Sequence, residues 1–549
     1  MKRVRKTISA IALISILVLT SCKPHNTIEG KKPNIILIMA DDMGFSDASF
    51  FGSGIQTPAI DRLAENGLVF NSFYNTGRCC PTRASLLTGL YAHNTGLGWM
   101  TAADDGFPGY NGAINDSCVT IAEVLKEAGY TNYMTGKWHV VYHKNMKYEG
   151  SKHNWPLQRG FDKYYGKLDG GGGYYNNPTL TYNNKRIETD ENFYLTRAIN
   201  DSTVSFIRQH LDSKKNQPFF FYVAHYAPHR PLHALEEDVK KYEGKFSQGW
   251  DVNRKQRYNR MKEIGMATKG WALGERPNDI PAWDSLDVKE KKKWERRMEV
   301  YAAQIDRMDQ GIGNIMKTLE EYNELDNTII IFLSDNGGGA ASTGTNVFEG
   351  NLKDHIGGPG TNQSYRKNWA HVSNTPFREY KKYTHEGGIS TPLIVHWPNK
   401  IKEHKIVTQQ GHVIDLMATF IDLAKAEYPQ DRNGTPVKPI QGKSLLPAFH
   451  GDLIHREEAL YFEHEGNRAI IDGNWKLVSQ GNKEEPYAGD WELYDLSVDR
   501  GEQNNLITTH PKIVEELMLK WNKWANENQV FPLNATVWRE RIAADVNNK

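Results

Sequence analysis

The chain predicts an α/β fold, with a large, mostly parallel sheet sandwiched by helices and a small C-terminal antiparallel sheet packed with a helix. Three observations predict it. Short continuous apolar runs at 35–40, Phe219–Ala224, Thr328–Ser334 and 392–397 have the composition of strands buried on both faces. These runs alternate with helical patterns near 298–322 and 412–426, the arrangement that lays parallel strands under crossover helices. From about Glu457 the chain changes to short alternating segments, and no internal repeat is visible.

Taken in order, residues 1–22 read as a targeting segment. Lys2, Arg3, Arg5 and Lys6 precede an apolar run over 8–19 that is too short to span a bilayer comfortably. It ends in Leu19-Thr20-Ser21-Cys22, which resembles a bacterial lipobox. Cleavage before Cys22 and lipidation of its thiol would leave an exported lipoprotein in the periplasm or at the outer membrane or cell surface. A plain secretory signal is the alternative. Residues 23–32 read as a linker and 33–456 as the main domain. Thr57 and Pro58 supply a cap and an N1 proline for a helix that Gly67 closes, and Thr120 with Glu123 forms a capping box for one that Gly129 ends. Two irregular stretches, the loop 169–175 and the charged insertion 231–293, read as pocket walls or as solvated loops. The second, smaller domain covers 457–549, with strands at 469–471, Trp475–Ser479 and 491–496 and a helix over 511–528.

At 549 residues there is ample chain for a large domain and a small one. A net charge of +1 argues against nucleic acid as the main partner. Membrane contact is expected through the lipid anchor only.

The chemistry concentrates around Cys79-Cys80-Pro81-Thr82-Arg83. Pro81 is tolerated in a first helical turn and the following Arg-Ala-Ser-Leu-Leu favours helix, so Cys79 is expected near a helix N-terminus, where the dipole favours an anion. Arg83, four residues on, shares that face. A buried or disulfide-bonded Cys79-Cys80 pair is the competing structural reading. Asp41-Asp42 follows the first strand and Asp335-Asn336 follows the 328–334 strand. These hard oxygen donors suit calcium, or less well magnesium, rather than zinc. Lys137 and His139 follow a strand ending near Thr135, His229 follows the 219–224 strand, and Lys381 lies five residues before Glu386. Singly, each of these is more often a surface or core residue than a catalyst.

Together, these motifs resemble the type I, formylglycine-dependent sulfatases, and most of all bacterial arylsulfatase-like members with an alkaline-phosphatase-like fold. The resemblance runs from about Pro33 through the small domain, with further landmarks at residues 57–64, 385–389 and 493–495. It implies oxidation of Cys79 to formylglycine by a maturation enzyme, and a calcium ion held by Asp41, Asp42, Asp335 and Asn336 with the modified Cys79. Arg83 would stabilise the aldehyde hydrate, Lys137 and Lys381 would neutralise the sulfuryl group, and Asp335 could take the attacking hydroxyl's proton. His229 with Lys381 would protonate the leaving alcohol, and His139 would help restore the aldehyde. The implied activity is hydrolysis of O-sulfate esters, with sulfated glycans as substrates and Trp99, Arg230, His233 and His464 as candidate sugar contacts. Alternatives are a formylglycine-dependent phosphate or phosphonate monoester hydrolase and a non-catalytic glycan-binding lipoprotein. With Cys22 and Cys79 so assigned, Cys80 and Cys118 are either a disulfide or two free thiols.

Overall fold

The computed structural model describes residues 31–268, 270–344, 350–482 and 485–533. The targeting segment and Cys22 lie outside the described residues. Eleven strands build the central sheet: β1 Asn34–Ala40, β2 Leu68–Tyr74, β3 Thr131–Lys137, β4 Lys163–Lys167, β5 Leu180–Tyr182, β6 Lys185–Arg186, β7 Phe219–Ala224, β8 Thr328–Ser334, β9 Ser390–His396, β10 Lys405–Val407 and β11 Gly411–His412. Their order is β10-β2-β9-β8-β1-β7-β3-β4-β5-β6, with β11 also on β2.

Register explains where a site can form. β1 runs parallel to both neighbours, pairing Ala40 with Ser334 of β8 and Met39 with Ala224 of β7. β3 is parallel to β7, pairing Gly136 with Ala224. The C-terminal ends of β8, β1, β7 and β3 therefore open at one edge, where ligands of α/β sheets bind. Side-chain alternation along β1 divides the core. Ile36 and Ile38 join the cluster containing Leu195–Ser213 and Val288–Glu321, while Ile35, Leu37 and Met39 join the one containing Cys79–Thr88 and Asp415–Ala424.

Several elements differ from expectation. The 392–397 run forms β9, antiparallel to both β2 and β8, so the sheet is mixed; continuous apolarity reports burial, not strand direction. The Thr57 hydroxyl does not cap its helix. It donates to Asp61 at 2.9 Å, and the Asp309 carboxylate accepts from the N–H groups of Ala59 and Ile60 at 3.0 and 2.8 Å. The capping box at Thr120 forms as read. The 231–293 insertion contains the helix Gly249–Glu263 and the first turn of Val288–Glu321, which begins ten residues before the apolar pattern starts.

A second, four-stranded antiparallel sheet is formed by Leu460–His464, Asn467–Asp472, Trp475–Ser479 and Trp491–Asp495. The helix Pro511–Glu527 buries Leu517, Trp521, Trp524 and Ala525 against it. A buried ionic network ties this sheet to the segment leading into β9. Lys476 Nζ lies 2.9 Å from Glu386 and 2.8 Å from Glu502, and Arg500 Nε lies 2.8 Å from Glu386. Among the described residues no helix is long and apolar enough to cross a membrane.

Candidate active site

The strand ends deliver their residues to one buried cluster. Asp41 and Asp42 leave β1, Asp335 and Asn336 leave β8, and Lys137 is the last residue of β3 rather than the second beyond its end. Cys79 is the first residue of the helix Cys79–Thr88, with extended backbone at Arg78 before it. Arg83 lies one turn on and is fully buried. Its Nε and Nη2 donate to Asp335 Oδ2 at 3.0 and 2.7 Å, and its Nη1 donates to the Lys137 carbonyl at 3.0 Å. Lys137 Nζ donates to Asp41 Oδ2 at 2.6 Å, and Lys381 donates to Asp42 Oδ1. Three carboxylates thus face three cations with almost no solvent contact.

The cluster is balanced in charge yet incompletely bonded. Asp41 Oδ1 and Asn336 Oδ1 are buried with no hydrogen-bond partner. Burial, then the neighbouring Asp335 carboxylate, pushes the Asp41 carboxyl up to about 7. Burial likewise raises Asp335, against the pull of Arg83. Burial acts to lower Lys137, but the adjacent Asp41 outweighs it and the ammonium is held above its usual range. Unpartnered, desolvated oxygens of Asp and Asn are what an oxygen-ligated divalent cation requires, so the residues present fit calcium. Ligand atoms of Asp41, Asp42 and His229 also lie within 4.8 Å of one another.

Cys79, Cys80 and Cys118 are free and buried, so Cys79-Cys80 and Cys80-Cys118 disulfides are absent. Cys80 donates to the Trp99 carbonyl at 3.4 Å and Cys118 to the Asn115 carbonyl at 3.2 Å. A hydrogen bond with Cys80, then Lys137, Lys381 and His139, holds the Cys79 thiol well below its ordinary value despite burial. His139 reaches Cys79 because residue 170 is glycine: a Cβ there would lie 2.0 Å from His139 Nε2. His229 Nε2 lies 3.6 Å from Asp42 Oδ2, and its Nδ1 is 3.0 Å from the Tyr226 hydroxyl and 2.5 Å from the Arg230 carbonyl. Burial, with Lys381 adding to it, lowers His229 well below the usual imidazole value. Burial also lowers His139. Asp42, His139, Lys382 and Glu465 all have left-handed backbone, with φ of 64°, 53°, 97° and 55°. Such conformations at non-glycine residues cluster where function over-determines the backbone.

A cleft of about 1300 Å³ opens over Cys79, His139, His229 and Lys381. Trp99 and Arg230 line it. His233 and His464 do not: His233 is buried, with Nε2 2.7 Å from the Thr361 carbonyl, and His464 is fully buried behind Glu465. Asp169 and Gly170 of the glycine-rich loop form part of the wall.

Two residues at the site, Lys167 and Glu465, were not expected from the sequence. Lys167 ends β4 in register with Lys137 and stands 3.8 Å over the Tyr226 ring. The repeated Gly136-Lys137 and Gly166-Lys167 pairs were a usable signal. Glu465 had none. It sits at a hairpin turn of the second sheet, accepts from Trp99 Nε1 at 3.1 Å and pairs with Lys382 at 2.9 Å.

Comparison with known proteins supplies the family. The sulfatase family profile matches residues 33–426, and the profile described as N-sulphoglucosamine sulphohydrolase, C-terminal, matches residues 378–527. An uncharacterized sulfatase of Schizosaccharomyces pombe is 35% identical, over 91% of this chain and 95% of its own. An arylsulfatase of Klebsiella aerogenes is 32% identical, over 76% of this chain and 91% of its own. The solved structure of Ps i-CgsB in complex with k-i-k-neocarrahexaose is 26% identical with a TM-score of 0.65, covering 90% of this chain and 93% of that one. Family matches along most of the sequence, over a fold that buries Cys79 among cations, lead to one conclusion: this chain belongs to the sulfatase family and is a sulfatase.

Proposed function

We propose that the enzyme hydrolyses O-sulfate esters of carbohydrates, using formylglycine made from Cys79. The observation that carries this reading is the placement of Cys79 on the floor of a cleft wide enough for a sugar, facing Lys137, Lys381 and His139. The carrahexaose held by a relative of similar fold supports a glycan substrate.

Formylglycine would supply a hydrated aldehyde as nucleophile, and a calcium ion held by Asp41, Asp42, Asp335 and Asn336 would supply Lewis acidity at a sulfate oxygen. The chain's own residues do the rest. Lys137 and Lys381 present positive charge where the sulfuryl oxygens must lie, in a dry site where such charge acts strongly. Arg83 clamps Asp335 with two hydrogen bonds and so fixes the carboxylate next to the nucleophile. His229 receives its orientation at Nδ1 from Tyr226 and the Arg230 carbonyl, which leaves Nε2 directed at the Asp42 side of the cleft. Lys381, beside the same carboxylate, shares with His229 the delivery of a proton to the departing alcohol. Asp335 would take the proton of the attacking hydroxyl, and His139, poised at Cys79, that of the second hydroxyl, which restores the aldehyde. The net reaction consumes one water and yields alcohol and sulfate.

The residues before Cys22 support export and lipid anchoring, which would place the enzyme where extracellular glycans reach it. The test is peptide mass analysis of protein from a maturation-competent host, paired with sulfate release. The Cys79 peptide should carry the thiol-to-aldehyde mass change, and Cys79→Ala should lower turnover by at least about a thousandfold with melting temperature preserved. An unmodified Cys79 in a protein that releases sulfate from no ester would overturn the reading.

A further inference from the structure

The ion pairs of the cleft wall do not use up its cations. Three carboxylates line the cleft: Asp42 pairs with Lys381, Glu465 with Lys382 at 2.9 Å, and Asp169 with Lys167 at 3.2 Å. Two lining arginines remain. Arg78 immediately precedes Cys79, and among the described residues its side chain makes one weak hydrogen bond, from Nε to Met100 Sδ at 3.4 Å. Arg230 immediately follows His229, and its side chain makes no hydrogen bond or ion pair among the described residues. Both are only partly exposed. Glu465 attracts Arg78 through space, yet its two oxygens are already engaged by Trp99 and Lys382.

A partly buried guanidinium with no acceptor is costly, and its planar fork matches carboxylate or sulfate better than a neutral hydroxyl. The scissile sulfate already has Lys137 and Lys381 beside it, with Arg83 committed to Asp335. A singly charged ester would therefore leave both Arg78 and Arg230 without a partner.

Resting on the sulfatase reading above, we propose that Arg78 and Arg230 form a second anion subsite, so that the preferred substrate bears another negative group near the scissile sulfate. That group is a carboxylate or a second sulfate on the same or the adjoining sugar. Recognition of either uses the same paired N–H donors. Lys144, exposed at the rim and in no ion pair among the described residues, adds positive potential at the approach.

The experiment uses the full mature chain with Cys79 conversion verified by mass. Sulfate release is compared for three disaccharides matched in their scissile ester: one otherwise neutral, one with a neighbouring uronate, and one with a second sulfate. We expect kcat/KM for at least one doubly anionic disaccharide to exceed that for the neutral one by tenfold or more, roughly the value of one charge-assisted contact. Arg230→Gln should bring that ratio close to one, and Arg230→Lys should keep part of it. The uronate and disulfate arms tell which anion is read. Because Arg78→Gln sits beside the maturation site, its effect is read as binding in the Cys79→Ala background, where affinity for the doubly anionic disaccharide should fall more than for the neutral one. Equal efficiencies on all three disaccharides, or a ratio that Arg230→Gln does not move, overturns the subsite and leaves the sulfatase reading intact. If none of the three releases sulfate, that reading fails for these sugars, and the binding ratio in Cys79→Ala decides the subsite alone.

Discussion

Two of the buried ionic clusters in this molecule invite comparison, each built from carboxylates facing lysine and arginine. In one, Glu386 and Glu502 meet Lys476 and Arg500 beneath the second sheet. Glu386 Oε1 faces Lys476, Oε2 accepts from Arg500 and from Ser390, Glu502 Oε1 lies 2.8 Å from Lys476, and Glu502 Oε2 accepts from the Glu386 N–H. Every carboxylate oxygen faces a cation or a donor, although Glu502 Oε1 meets Lys476 as an ion pair without hydrogen-bond geometry, and Lys476 and Arg500 hold Glu386 below its usual value against burial. In the other, Asp41, Asp42 and Asp335 meet Arg83, Lys137 and Lys381, yet Asp41 Oδ1 and the neighbouring Asn336 Oδ1 lack partners and Asp41 is pushed up to about 7. Counting charges would not separate the two. Counting oxygens that face a cation or a donor does: in the first cluster every one does, which makes it complete, whereas in the second Asp41 Oδ1 and Asn336 Oδ1 face neither and are the kind of donor a divalent cation takes.

The largest stability effect should come from breaking the complete cluster. Glu386→Gln leaves Lys476 and Arg500 short of charge in a dry interior, which costs about 3–5 kcal/mol. Denaturant unfolding measures it, and a loss under about 1 kcal/mol would leave this cluster worth no more than an exposed ion pair. Next in size is calcium. Added to about a hundredfold over its Kd, it should stabilise the native chain by about 2.7 kcal/mol. Glu386→Gln should retain this increment from a lower base, while Asn336→Ala should lose at least about 10-fold in calcium affinity by titration calorimetry, the loss that removing even an outer-shell partner causes.

Protonation gives a smaller, signed distinction. Asp41 has a folded pKa raised above its unfolded one, so its contribution to stability is complete below about pH 4 and is lost as pH rises through about 7. Glu386 is depressed, so its contribution holds above its unfolded value and is lost as pH falls through the folded one. Calcium binding at pH 6 should then release close to one proton, falling toward zero by pH 8.5, as read from calorimetry in buffers of different ionisation enthalpy. The smallest effect belongs to an exposed pair: Lys126→Ala, which breaks a 2.7 Å contact to Asp162, should cost under about 1 kcal/mol.

Much of the site was legible before folding, because sulfatase-like chemistry is carried by short local motifs. Asp41, Asp42, Cys79, Arg83, Asp335 and Asn336 sit at strand ends and a helix start, positions that local apolar runs and helix signals mark. Lys137, His139, His229 and Lys381 were legible through resemblance alone, since a lone lysine or histidine carries no positional signal. Among the sugar contacts, Trp99 and Arg230 reach the cleft, whereas His233 is turned to the Thr361 carbonyl and His464 packs behind Glu465. Loop membership does not specify which way a side chain points.

By itself the sequence determined strands β1, β3, β7, β8 and β9, though not β2 between them and the edge, the helix that presents Cys79, the oxygen donors and the charge types around them. These follow from periodicity, chain punctuation and residue chemistry within a few positions. Only the tertiary structure decided that β9 runs antiparallel, that Glu465 crosses from the second sheet to the cleft, and that among the described residues the Arg78 and Arg230 side chains are left without an oxygen acceptor. Each of those depends on register and packing between segments distant in the chain, and local composition does not encode which of many available partners a side chain will meet.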